Sequence, residues 1–156
     1  MLSAVCPGTV GGRGVWYNSP IDRSNRGARK EGIMSHYVDG FVIPIAKDRV
    51  DDYRRLAEKT AVIWKEYGAL EYWECVGDDI DTQPDCGLRS FLQLANAKAD
   101  ETVIFAWVVF ESREKRDAVN AKICADPRLQ ELMKPENQIF DNARMACGGF
   151  RPLVRA

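Results

Sequence analysis

The sequence predicts an α+β domain whose antiparallel sheet carries its helices on one face. Two observations carry that reading. Stretches with apolar residues at every second position alternate with stretches of helical spacing, in the order strand, helix, strand, strand, helix, strand. The most hydrophobic stretch, Val103 to Phe110, is apolar on both faces, and one helical layer covers only one of them.

The first strand is expected over Tyr37 to Ile45. Tyr37, Asp39, Phe41, Ile43 and Ile45 share one face, and Val38, Gly40, Val42 and Pro44 the other. Pro44 is expected to mark the end of pairing. Asp48 is placed as the cap of a helix reaching about Tyr67, with Val50, Tyr53, Ala57, Thr60, Ala61 and Trp64 inward and Gly68 as a left-handed C-terminal cap. Leu70 to Gly77 is the second strand, with Leu70, Tyr72, Glu74 and Val76 on one face and Glu71, Trp73 and Cys75 on the other.

A long polar connection follows from Asp78 to Glu101, with a short helical piece near Arg89 to Ala97. Its length marks it as a functional lid or a dimer arm. Its acidic run does not make a calcium loop: Pro84 stands where glycine is required and Ser90 where glutamate is. After the third strand, Ser112 caps a second helix with Ala118, Val119 and Ile123 inward. Asp126 stops it and caps a short helix beginning at Pro127. Arg144 to Phe150 is the last strand, its Gly148-Gly149 pair marking a bulge or a close backbone approach. This order is the split βαββαβ, ferredoxin-like pattern. Its uncovered apolar face predicts that two subunits close their sheets together into a dimeric α/β barrel.

At 156 residues and a net charge of −1, one soluble domain is expected, with no electrostatic pull towards nucleic acid or an anionic membrane. No apolar run approaches the roughly 20 residues that span a bilayer. The five cysteines form no C-x-x-C pair and there is one histidine, His36, so no metal site is expected and the thiols read as reduced, in a cytoplasmic protein.

Residues 1–33 stand apart as a disordered tail. They hold six of the twelve glycines and show no hydrophobic period. Five basic residues against two acidic ones give +5 − 2 = +3, leaving −1 − 3 = −4 for the remainder. Lys30-Glu31-Gly32 can be encoded by a purine-rich run resembling a ribosome-binding site, so translation is expected to start at Met34 and to leave 156 − 33 = 123 residues, 34–156, as the domain.

The segments YVDGFV, ALEYWECVGDD, ETVIFAWVVFESREKRDAVNAKICADPRL and FDNARMACGGF resemble the YbaA-like family of small bacterial proteins. The resemblance runs from Tyr37 to about Val154 and implies a dimeric ferredoxin-like barrel. It implies little about activity, because the family is described as having unknown function. Some members carry a label tying them to signal recognition particle RNA; with no basic stripe and a net acidic domain, nothing in the residues supports RNA binding.

Asp39 and Glu74 are the candidate catalytic residues, each interrupting an apolar strand. Facing a barrel interior, desolvation and mutual repulsion would raise at least one pKa and fit it for general acid or base work. The plainer reading pairs each with an arginine or leaves it at a wet strand end, and it is preferred. Trp107, with Phe105 or Trp73 nearby, is a candidate pocket wall, against the commoner role of core. Asn120 is a candidate ligand-orienting amide, against an exposed position on its helix. Asp141 and Arg144 are candidates for clamping an anionic ligand, against a local ion pair. His36 is expected to be simply exposed.

The leading expectation is a homodimer that binds or converts a small organic molecule in the barrel interior, without a cofactor. Related dimeric barrels include cofactor-free oxygenases, haem-handling proteins and isomerases, and a single, badly placed histidine argues against haem. A non-enzymatic interaction or regulatory module is the alternative, and RNA association a distant third. A pocket enclosed by Asp39, Glu74 and Trp107 would favour ligand chemistry.

Overall fold

The computed structural model describes residues 36–81 and 87–154. It is an α+β structure with one four-stranded antiparallel sheet: β1 (Tyr37–Ala46), β2 (Glu71–Val76), β3 (Glu101–Phe110) and β4 (Ala146–Phe150), in the order β2-β3-β1-β4. The helices are α1 (Val50–Glu66), α2 (Phe91–Leu94), α3 (Arg113–Ala125) and α4 (Pro127–Leu132). Sheet and connections are compatible with the ferredoxin-like pattern. The longest ladder joins β1 to β3, from Tyr37↔Phe110 to Ala46↔Glu101.

The period-two pattern sorts the sheet into two unlike faces. Phe41, Ile43, Ile45, Ile104, Ala106, Val108 and Phe110 pack with Tyr53, Ile63 and Trp64 of α1 and with Val119, Ile123 and Leu129 of α3 and α4. Trp64 and Phe110 meet with ring centroids 5.8 Å apart. The opposite face is built from cross-strand rows: Glu71, Val109, Val38 and Phe150; then Trp73, Trp107, Gly40 and Gly148; then Cys75, Phe105, Val42 and Ala146. Here Trp73 is 51% and Phe105 43% exposed. Among the described residues, α2 reaches over this face and sets Phe91 against Phe105 at 5.6 Å.

Local chemistry closes the helices as expected in three places. Ser112 accepts from the Lys115 N–H. Asp126 accepts from the Arg128 N–H, with Pro127 at the first helical position. Gly68, at φ +108°, ends α1: its N–H donates to the Lys65 carbonyl while that of Ala69 donates to Trp64, a Schellman closure.

Other expectations are corrected. Asp48 caps nothing: it lies in a 3-10 turn, Lys47–Arg49, whose first N–H is tied to the Asp100 carbonyl, and α1 begins after Arg49 without a side-chain cap. Pro44 does not end pairing with β3, which runs on to Ala46; it is β4 that stops, at Val42, leaving open edge where proline supplies no N–H. Ala118 is exposed, and Asn120 takes the inward position instead. Gly148-Gly149 makes no bulge, since the register is regular from Val38↔Phe150 to Val42↔Ala146. Close approach is the reason for Gly149: a Cβ there would lie 2.7 Å from the Tyr37 ring and 2.8 Å from Arg116 Nη2. Cys75 and Cys147 are free thiols, but Cys124 is disulfide-bonded, against the expectation of reduced thiols throughout. Residues 1–35, which include the N-terminal tail, and residues 82–86 around Pro84 lie outside the described residues.

Candidate functional site

Strand β2 sits at the sheet edge beside α1, and its alternation turns Tyr72 and Glu74 towards the helix. A cavity of about 280 Å³ opens there, lined by Val50, Ala57, Ala61, Val76 and Ile104 on its apolar walls. Glu74, Tyr53 and Tyr72 supply its polar floor, and Arg54 and Glu58 stand on the solvent side of α1. Tyr53 Oη donates to Glu74 Oε2 and Tyr72 Oη to Glu74 Oε1, both at 2.7 Å. The ring of Tyr53 is itself held edge-on by Phe140, with centroids 5.8 Å apart.

Burial raises the Glu74 pKa against the pull of its two phenol donors. Burial and the neighbouring carboxylate raise both tyrosines, so the phenols stay protonated donors at neutral pH. A carboxylate has about four lone-pair positions, and two phenols leave the rest for a ligand. The arrangement can accept a proton or a hydrogen bond from a molecule in an otherwise apolar space.

Asp39 shares the helix-covered face but not this cavity. Cross-strand pairing puts Asp39 opposite Val108 and Glu74 opposite Ala106, with β3 between them, so the two residues stand two strand spacings across and two residues along, ~12 Å, apart. Their expected mutual repulsion is therefore not what perturbs either one. Asp39 is pushed up to about 6 by burial first, with Arg116 and a hydrogen bond from Asn120 pulling down and Asp117 adding a smaller push. Arg116 Nε lies 3.3 Å from Asp39 Oδ1 but outside hydrogen-bonding geometry; its Nη2 donates to Tyr37 Oη at 3.1 Å and its guanidinium covers the Tyr37 ring at 4.8 Å. The expected arginine partner is thus found for Asp39. Glu74 has tyrosines instead.

Strand parity keeps Asp39, Glu74 and Trp107 from lining one pocket, the arrangement that would have favoured ligand chemistry in the barrel interior. Trp107 pairs with Trp73 and Gly40 on the open face, opposite both carboxylates. It stacks on Trp73 at 5.6 Å and leans on Phe105 at 5.4 Å, half-buried in an aromatic patch. Asn120 is buried against Asp39 rather than exposed on its helix. Asp141 and Arg144 form no clamp: Asp141 accepts from the Ala143 N–H, while Arg144 grips both oxygens of Glu101 at 2.6 and 2.8 Å and donates to the Asn96 carbonyl. His36 is half-buried and not free of partners.

Tyr53, Tyr72, Arg116 and Glu101 are the participants that sequence reasoning passed over. Two of them were within its reach. Tyr72 lies two residues before Glu74 on one strand face, and Arg116 lies four before Asn120 on one helix face. Among the described residues, no three His, Cys, Asp or Glu side chains come together as a metal site, and no helix is long and apolar enough to cross a membrane.

Comparison with known proteins gives one family. Residues 36–142 match the model of a protein of unknown function, DUF1428. The chain is 41% identical over 118 residues to the uncharacterized protein YbaA of Escherichia coli K12, covering 76% of this chain and 97% of that protein. The YbaA protein of Shigella flexneri matches to the same extent.

Proposed function

This chain belongs to the DUF1428 family of proteins of unknown function, and on that footing we propose that it binds a small organic molecule in the cavity beside Glu74. The observation that carries this reading is the buried Glu74 carboxyl on the cavity floor, each oxygen held by one phenol. Burying a carboxylate is costly, the two phenols satisfy only part of its accepting capacity, and ligand sites combine apolar walls with a few convergent polar groups. A volume of about 280 Å³ suits a compound of modest size, smaller than most drug-like ligands.

The same reading makes the protein a homodimer closed through the open sheet face into a barrel. Support comes from the row of Trp73, Trp107 and Gly40 and its neighbours Phe105 and Phe150, a contiguous apolar surface on one side of the sheet. Covering one exposed tryptophan is worth a few kcal/mol at about 25 cal/mol per Å². The ligand site therefore lies between sheet and helices in each protomer, while the barrel interior is the contact between protomers. A cytoplasmic setting belongs to this proposal and is tested by fractionation of the native host, in which recovery outside the cytoplasmic fraction would refute it.

Native mass spectrometry of protein purified from its own host tests the site. A retained small molecule, lost in Glu74→Gln while the variant stays folded, is the expected result. A ligand retained equally by the variant would overturn the assignment. An interaction module remains the second reading because Leu88, Phe91 and Leu94 are exposed on the 78–101 connection. Substituting all three with serine would abolish partner capture under that reading and leave ligand retention intact under the first.

A further inference from the structure

We infer that the Glu74 cavity catalyses proton transfer at carbon next to a carbonyl, its substrates being small cyclic or aryl ketones that can form an enol. The inference rests on the cavity being a ligand site and goes beyond it by naming the chemistry. Enolisation needs a base at the α-carbon and a hydrogen-bond donor at the carbonyl oxygen at the same time. Those two substrate atoms are about 2.4 Å apart by standard bond lengths. The Tyr72 hydroxyl and Glu74 Oε1 are 2.7 Å apart, side by side on one strand face and both on the cavity wall, a spacing that straddles the two atoms.

The step balances without a co-reactant. Glu74 takes the α-proton; the C–H electron pair becomes the new C=C bond, and the carbonyl π pair moves onto oxygen. The Tyr72 hydroxyl has by then turned about its C–O bond from Oε1 to the substrate carbonyl oxygen, so that Oε1 is free to act as the base while the phenol holds the developing enolate. The proton then returns from Glu74 to the same or another conjugated carbon, giving exchange or double-bond migration. Tyr53 is a positioning residue: it holds the second carboxylate oxygen from α1, with its own ring fixed against Phe140. The apolar walls matter because a carboxylate in a dry recess is a stronger base than one in water, and a phenol there is worth more to a developing oxyanion.

The test uses the full chain in deuterated buffer with 1-indanone and 2-tetralone as probes. Saturation-transfer NMR reads binding and loss of the α-proton signal reads exchange. The expected result is binding of at least one probe with exchange well above the buffer rate. Glu74→Gln, compared with wild type at probe concentrations that saturate each protein, should lower that rate on the order of a hundredfold or more. Tyr72→Phe should lower it on the order of a hundredfold. Glu74→Asp, which withdraws the carboxyl by one methylene while keeping its charge, should also lose exchange, and guards against a glutamine variant that fails to fold. A probe that binds yet exchanges at the buffer rate overturns the chemistry and leaves the ligand site standing. Failure of both probes to bind overturns the cavity as a site for this class.

Discussion

Asp39→Asn, followed against pH, isolates one buried charge. Asp39 is 6% exposed, and burial lifts its pKa from the ordinary 3.8 to about 6 even with Arg116 beside it. Between those values the folded protein keeps a proton that the unfolded chain has released, so stability falls as pH rises across the interval. The cost is complete above about pH 6. The difference from 3.8 to about 6, at 1.36 kcal/mol for each tenfold change in proton affinity, is at most about 3 kcal/mol. Asparagine has the same shape and no charge to desolvate. The stability of wild type minus variant should therefore decline by up to about 3 kcal/mol between about pH 4 and pH 7.

The assay is urea unfolding of both proteins across that range, at one protein concentration because the stability of the proposed dimer would depend on it. Subtracting the variant removes every other titrating group, including Glu74, whose raised pKa is common to both. A flat difference would refute the argument that desolvation governs this site. A difference that rose with pH would show the attraction of Arg116 outweighing burial, and the carboxylate would then stabilise the fold.

Three further outcomes are expected. Arg144→Met leaves Glu101 in its buried position without its bidentate partner and should cost about 1–3 kcal/mol by chemical unfolding. Arg144 holds the Glu101 carboxyl down to about 2, so the wild-type advantage should be present above about pH 4.5 and fade as pH falls towards 2. Gly149→Ala drives a methyl group into Tyr37 and Arg116 and should cost about 1–3 kcal/mol, whereas Gly148→Ala, meeting only the Phe150 ring at 3.6 Å, should be nearly neutral; a calorimetric comparison separates them. Trp73→Glu, at a half-exposed position on the open face, should give monomers by sedimentation with the folded-state spectrum unchanged.

Much of the frame was legible because it rests on local rules. Alternation places β1 and β3, and side-chain caps at Ser112 and Asp126 need only their own neighbours. Asp48 fails as a cap because the turn around it is tied to Asp100, 53 residues from Lys47, which no local pattern reports. The candidate site was legible only in part. Glu74 stands out as a charge in an apolar strand, but both faces of β2 and β3 are apolar enough to face a core. Parity sorts residues into two sets without saying which set meets the helices. That single ambiguity is why a pocket of Trp107 with Asp39 and Glu74 could be framed as a test at all. It also hid Tyr53, whose inward position on α1 was readable but whose reach to Glu74 is a tertiary fact.

The separation of the two faces yields a stricter test than either site alone. On β3, Ala106 lies beside Glu74 while the next residue, Trp107, lies against Trp73 on the other side. One strand thus lines the cavity through Ile104 and carries the centre of the proposed dimer surface through Trp107. Trp73→Glu adds its charge outside the cavity, and Glu74→Gln removes one remote from the aromatic patch. If the faces act independently, Trp73→Glu should yield monomers that still bind a probe with little changed affinity, and Glu74→Gln should yield dimers with altered proton transfer. Probe binding lost in a folded Trp73→Glu monomer would instead show that pairing of the sheets sets the alignment of β2 and β3, and that the cavity is complete only in the dimer.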